Sequence, residues 1–150
     1  MTIASTPPRP QLSPIVAGLW RIKDWKLSVQ ERVRWIEQAL ELGITSFDHA
    51  DIYGDYRAEA LFGEALKAAP ALRRRMQLVS KCGIRLRSAD RPYRVNHYDT
   101  GAAYVRKQVE QSLVNLHTDR LDLVLILGAG LFTLVREEQV AHWWRRVKMM

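Results

Sequence analysis

The chain has 150 residues, and its 23 Lys and Arg outweigh 16 Asp and Glu to give a net charge of +7 and a pI near 9.9. That length suits one domain able to bury a core, and the single cysteine, Cys82, excludes an intrachain disulfide and suits a reducing cytosol. No run approaches the ~18 apolar residues of a membrane span, and the basic balance suits an anionic ligand, nucleic acid, an anionic membrane surface or simply a solvated basic exterior.

In chain order, strand-like and helix-like stretches alternate. Met1 to Pro14 carries Pro7, Pro8 and Pro10 and no apolar core segment. It reads as a flexible leader, not a signal peptide, and meets the folded part at Leu12 or later. Ile15 to Trp20 is a strand. Ser28 opens a helix, with Glu31 three residues on as a capping box. Val29, Val33, Ile36 and Leu40 give that helix one apolar stripe, and Gly43 ends it. Ile44 to Phe47 is the second strand. Ala58 to Ala68 is the second helix, with Ala58, Leu61, Phe62, Ala65 and Leu66 inward. Gly63 lies inside it, for which close helix–sheet packing is the expected reason. Arg73-Arg74-Arg75 reads as a solvated turn.

Met76 to Ser80 is the third strand and ends in Lys81. Gly83 to Asp99 is a long polar loop with Arg85, Arg87, Arg91, Arg94 and His97, long enough to wall a substrate pocket. Thr100 caps a third helix with the stripe Val105, Val109, Leu113 and Leu116. Leu121 to Ile126 is a nearly all-apolar fourth strand, as in a parallel sheet buried on both faces. Three strand–helix units and a fourth strand predict an α/β fold with a parallel sheet and right-handed crossovers. Val135 to Met150 forms a basic amphipathic helix in this reading. Val140, Trp143, Trp144 and Val147 lie on one face, with Arg136, Arg145, Arg146 and Lys148 as its charge. It caps an open edge, meets a membrane surface or partner, or is out-of-frame translation; the abrupt change after Ile126 favours the last.

The chemistry concentrates in Phe47-Asp48-His49-Ala50-Asp51-Ile52-Tyr53-Gly54, where a strand end opens into a polar loop. Asp48 fits the strand tip and Tyr53 the loop, and Lys81 stands at the tip of the next strand. A carboxylate, a phenol and an amine so placed make a proton-transfer set. A phenol is a weak acid near neutrality, and a neighbouring ammonium favours its anion. His49 reads as a structural or hydrogen-bonding group, and Asp51 caps or lines the loop. Trp20 stands at the mouth or in the core. Cys82 is a buried filler or, beside Lys81, a reactive thiol. The histidines at 49, 97, 117 and 142 have no metal-ligand spacing, so no metal is expected. No Gly-x-Gly-x-x-Gly fingerprint is present.

Phe47-Asp48-x-Ala50-x-x-Tyr53-Gly54 followed by Ser80-Lys81 resembles the aldo-keto reductase family. The resemblance extends over about Ile15 to Ile126 through Gly18-Leu19-Trp20-Arg21, Leu42-Gly43-Ile44 and Leu121 to Ile126. It implies a TIM-barrel fold of which residues 15–127 form about the first half, since a complete (β/α)8 barrel needs about 250 residues. Residues 1–14 are then the leader and 128–150 a divergent tail. It also implies NADPH as hydride donor at the mouth of the barrel, and reduction of aldehyde or ketone carbonyls. Tyr53 is the proton donor, Lys81 its partner and Asp48 the partner of the lysine, with Gly18, Trp20 and Asp48 touching the cofactor. The family's fourth catalytic residue, a histidine directly after the fourth strand, is replaced here by Leu127 and followed by Gly128-Ala129-Gly130.

With most of the family's cofactor contacts in the barrel's second half, this chain is expected to bind NADPH weakly or not at all and to turn over poorly. A cytoplasmic location, a small carbonyl substrate and no specific nucleic acid complete the expectation. Two readings stand beside it. One is a non-catalytic half barrel that self-associates through open strand edges. The other is a basic module that binds membranes or nucleic acid through Arg73 to Arg75 and the tail.

Overall fold

The computed structural model describes residues 10–88, 91–92 and 94–127. The readings of the first nine residues and of the tail from 128 onward lie outside those residues. Four parallel strands form the central sheet, in the order β1 (Val16–Gly18), β2 (Ser46–Asp48), β3 (Gln77–Cys82) and β6 (Leu123–Ile126). Helix α1 (Val29–Glu41) joins β1 to β2. A single turn, α2 (Tyr53–Tyr56), and helix α3 (Ala58–Ala68) join β2 to β3. Between β3 and α4 (Ala102–Asn115) stands a small antiparallel pair, β4 (Ile84–Arg85) with β5 (His97–Tyr98), so the long polar loop is partly a hairpin. This is the parallel α/β arrangement that the alternation of elements predicts.

Local chemistry explains the elements. The capping box of α1 is present: Glu31 N–H donates to Ser28 Oγ, and Ser28 N–H donates to the Glu31 carboxylate at 2.8 Å. Gly43, at φ +79°, provides the left-handed residue after α1. Helix α4 begins differently from expectation. Its N-cap is Gly101, with no side-chain cap, and Thr100 stands one residue outside.

Side chains alternate across each strand. On one face of β2, Phe47 packs on Phe62 of α3, centroids 5.3 Å apart, and on Trp35 of α1 at 6.1 Å. Leu78 of β3 joins the same core with Leu19, Ile36 and Leu116. Burying each such side chain contributes about 1.5–3 kcal/mol. On the other face, Ser46 and Asp48 of β2 meet Gln77 and Lys81 of β3. Ser46 Oγ donates to Gln77 Oε1 at 3.0 Å at one end, and Lys81 reaches Asp48 at the other. Period two and this register therefore put Asp48 and Lys81 on the face away from the helices.

Two expectations are corrected. Gly63 makes room for another helix, not for the sheet: a Cβ there would lie 1.9 Å from the Asn115 carbonyl oxygen at the end of α4. Arg73 is not a solvated turn residue. It is buried in a 3-10 turn (Pro70–Arg75), while Arg74 and Arg75 are exposed. Its guanidinium donates to Thr118 Oγ1 at 2.8 Å, to the carbonyls of Met76 at 2.9 Å and Arg120 at 3.0 Å, and to Asp122 Oδ2 at 2.8 Å. The same Asp122 oxygen accepts from Leu78 N–H at 2.8 Å, so the arginine fastens β6 to β3. Fixed carbonyls, a hydroxyl and a carboxylate compensate the buried charge.

Candidate active site

The C-terminal ends of β1, β2 and β3 lie side by side, with Gly18 paired in register with Asp48 and Asp48 with Val79. Lys81 rises from β3 two residues beyond that rung. It lies inside the strand, not after its end. Its ammonium donates to both Asp48 carboxylate oxygens at 2.6 Å, to the His49 carbonyl at 2.8 Å and to Tyr53 Oη at 3.3 Å. The three residues singled out in the sequence thus meet at one nitrogen.

The turn that carries Tyr53 is unusual. Gly54, Asp55 and Tyr56 have φ of +57°, +60° and +63° in succession. Left-handed backbone at non-glycine residues is costly and is tolerated where surrounding contacts fix it. Here Tyr56 Oη accepts from Leu86 N–H at 2.6 Å and donates to the Leu86 carbonyl at 3.0 Å, while Arg91 stacks 3.8 Å from the Tyr56 ring centre. The loop after β3 therefore buttresses the tyrosine turn.

Trp20 is 69% exposed and stacks on Tyr53, centroids 6.1 Å apart and planes 23° apart. It stands at the mouth; the alternative, a core aromatic, is excluded. Beside it opens a cleft of about 560 Å³, lined by Trp20, Arg21, Ile52, Tyr56, Leu86 and Arg87 among others. A cleft of that size holds a small molecule. Gly18 borders open space, since a Cβ there would touch nothing within 4 Å. An exposed indole face beside Gly18 offers a surface for a flat ring, so Gly18, Trp20 and Asp48 are the residues here that could hold the nicotinamide end of a dinucleotide.

Behind this mouth lies a buried polar cluster that sequence reasoning underrated. His49 is fully buried against Phe62, and neither ring nitrogen has a hydrogen-bond partner. Burial first, then the charge of Lys81, hold its imidazole down to about 3, so it is neutral. Asp51 lines the loop from inside: burial, then the charge of Glu59, push its carboxyl up to about 7. Glu59 is itself buried and accepts from Ser80 Oγ at 2.6 Å and Asn115 Nδ2 at 3.1 Å. Burial, then Asp51 and Glu59, raise the Cys82 thiol to about 12. Cys82 is thus a protonated filler, and the reactive-thiol reading is excluded. Tyr104, on α4, reaches into the same cluster, and burial raises its phenol too. Its place on an amphipathic helix at a buried position was the one sequence signal available.

Leu127 follows β6 directly, and its N–H donates to the Cys82 carbonyl at 2.7 Å. Its side chain has no proton to donate. Among the described residues no cluster of three His, Cys, Asp or Glu is arranged to hold a metal, and no helix is long and apolar enough to cross a membrane.

Parallel strands joined by helices, with carboxylate, phenol and amine at the strand tips, define a β/α-barrel type of protein. The chain belongs to the aldo/keto reductase family, whose model matches residues 14–127. The oxidoreductase YdhF of Escherichia coli K12 is 51% identical over 124 residues, 83% of this chain and 41% of its own. A 6-dehydroglucose reductase of Agrobacterium fabrum is 49% identical over 119 residues, 77% of this chain and 40% of its own. A solved aldo-keto reductase from Klebsiella pneumoniae in complex with NADPH superposes with a TM-score of 0.63 at 25% identity, covering 89% of this chain and 42% of that one. A holo aldo-keto reductase from Bacillus halodurans gives 0.68 at 26% identity, covering 90% and 43%. The chain spans about two fifths of the length of the curated relatives it matches.

Proposed function

We propose that Asp48, Lys81 and Tyr53 are the proton-delivering part of a nicotinamide-dependent carbonyl reductase site. The observation that supports this most directly is the Lys81 ammonium, which touches both Asp48 and Tyr53 Oη. A reduced nicotinamide, NADPH in the Klebsiella relative, supplies hydride when bound. Tyr53 gives its proton to the carbonyl oxygen. Lys81 stabilises the phenolate left behind, and Asp48 keeps Lys81 charged and in place. Gly18 and Trp20 seat the nicotinamide end. The substrate is a small aldehyde or ketone, and the sugar aldehyde named for the Agrobacterium relative sets the class to try first. Leucine at 127 removes a hydrogen-bond donor that would orient the carbonyl, so turnover is slow. A cytoplasmic setting, with its supply of reduced nicotinamide and free thiols, belongs to the same reading.

The test is NADPH titration of the purified chain by tryptophan fluorescence, followed by aldehyde reduction in the chain and in Tyr53→Phe. General acid help is typically worth 10²–10⁴ in rate, so Tyr53→Phe should lose at least about 10². A residual rate equal in both proteins removes Tyr53 from the chemistry and sinks the reductase reading, while no quenching up to millimolar NADPH means that these residues do not make a working site in this chain. A second reading rests on the outer strands. Among the described residues β1 and β6 each have one neighbour in the sheet, and Ile15 and Leu125 are exposed beside those edges. Self-association there predicts a mass that rises with concentration.

A further inference from the structure

The Asp51 carboxyl lies between β3 and α4 with 7% of the residue exposed, and its Oδ1 has no partner. Tyr104 Oη lies 3.4 Å from Asp51 Oδ2 and 3.3 Å from the Ile84 carbonyl oxygen. A phenol has one proton. Were Asp51 ionised, both of these neighbours would be acceptors and one contact would go unserved. With Asp51 protonated, its hydroxyl donates to Tyr104 Oη and Tyr104 donates to Ile84, so both contacts become hydrogen bonds. With Asp51 ionised, the one Tyr104 proton is shared between two long contacts, and a protonated Asp51 removes that competition. Asp51 is also tied to Lys81 through the backbone and lies close to Tyr53 in the chain. Its N–H donates to the Lys81 carbonyl at 2.9 Å, and Tyr53 follows two residues later.

We propose that Asp51, clasped by Tyr104, is a positioning residue for the Tyr53–Lys81 pair. The groups facing it are Glu59 of α3, Lys81 and Cys82 of β3, Tyr104 of α4 and Arg91 of the loop after β4; Arg85, paired with Asp99, stacks on Tyr104. Burial and Glu59 favour the neutral acid, against the Ile52 N–H, Arg91 and Tyr104, and the balance puts its titration at about 7. Below that pH the clasp is complete. Above it a buried charge appears, Tyr104 gives up one acceptor, and the segment from Asp51 to Tyr53 loosens from β3. Only the consequence for turnover rests on the reductase reading; the change in geometry stands without it.

The experiment is ¹³C NMR of the whole chain between pH 5 and 9, with aspartate carboxyl and tyrosine Cζ carbons labelled. The Asp51 carboxyl should titrate near 7, far above the ordinary 3.8. The Tyr53 signal should shift with the same midpoint. Asp51→Asn supplies an N–H to Tyr104 as the acid hydroxyl does, and should abolish that shift and hold Tyr53 at its low-pH position. Tyr104→Phe should displace the Tyr53 signal at low pH while circular dichroism stays unchanged. An Asp51 carboxyl that titrates near 4, a Tyr53 that stays still while Asp51 titrates, or a Tyr53 shift that survives Asp51→Asn overturns the proposal. The first two outcomes are read in the unsubstituted chain and need no variant to fold. A Tyr53 shift together with a reduction rate that Tyr53→Phe leaves unchanged refutes the reductase reading alone. Turnover whose pH profile Asp51→Asn leaves unmoved refutes the positioning role alone.

Discussion

The two ends of the sheet treat charge in opposite ways. At the N-terminal ends of β2, β3 and β6, no buried side-chain polar atom among the described residues is left without a partner. Arg73 donates to two carbonyls, a hydroxyl and Asp122, and Ser13 Oγ accepts from the N–H groups of Thr45 and Ser46. At the C-terminal ends the accounts stay open. His49 and Asp51 keep buried atoms without partners, and three consecutive residues sit at positive φ. One end holds the fold, and the other keeps unpartnered buried atoms and strained backbone, a pattern common at functional sites.

That contrast can be broken from either side. The largest effect is expected from Arg73→Ala, which leaves the half-buried Asp122 only the 4.0 Å pair with exposed Arg120 and should lower stability by about 3 kcal/mol, the low end for a broken buried pair. Urea denaturation reads it, and a loss below 1 kcal/mol would show that the clamp is decorative. Gly63→Ala follows. Forcing a methyl onto the Asn115 carbonyl should cost about 1–3 kcal/mol by overpacking, where a helix interior would otherwise gain from alanine. Ser28→Ala, which removes the α1 cap, should cost about 1 kcal/mol. Tyr53→Phe at the mouth should be smallest in stability, within about 0.5 kcal/mol. A large loss there would make Tyr53 a structural residue and erase the difference between the ends.

The pH dependence sharpens the same comparison. The folded His49 titrates near 3 against an ordinary 6.5, so the unfolded chain binds more protons between those values and stability rises with pH across them. Asp51 is the reverse. Its folded carboxyl titrates near 7 against 3.8, so the folded chain binds more protons and stability falls as pH rises from about 4 to 7. The two slopes oppose each other within one cluster. Asp51→Asn removes the falling one, and thermal midpoints between pH 4 and 6.5 should then climb more steeply than in the unsubstituted chain. An unchanged slope would mean that Asp51 is charged in the fold.

What was legible in the sequence was local or periodic. The capping box at Ser28 and Glu31 and the helix from Ala58 to Ala68 follow from spacing and from hydrogen bonds between near neighbours. The alternation along each strand follows from the pleat, but the register that turns Asp48 and Lys81 to one face is set by the pairing of β2 with β3. The opposite error at Arg73 has a simple cause. Three adjacent arginines look solvated until a strand 49 residues away brings Asp122 to one of them. Nothing near Gly63 announces the end of α4, and nothing near Asp51 announces Tyr104.

The sequence by itself therefore determined the order of strands and helices, the capping of α1 and which residues occupy the strand tips, because these depend on period and on contacts a few residues apart. Only the tertiary structure decided which charges are buried and what compensates them. Arg73 became a clamp, Cys82 an inert thiol, and Asp51 an acid titrating near neutrality. Desolvation and Coulomb energy depend on every element packed around a group, and those elements meet only once the chain has folded.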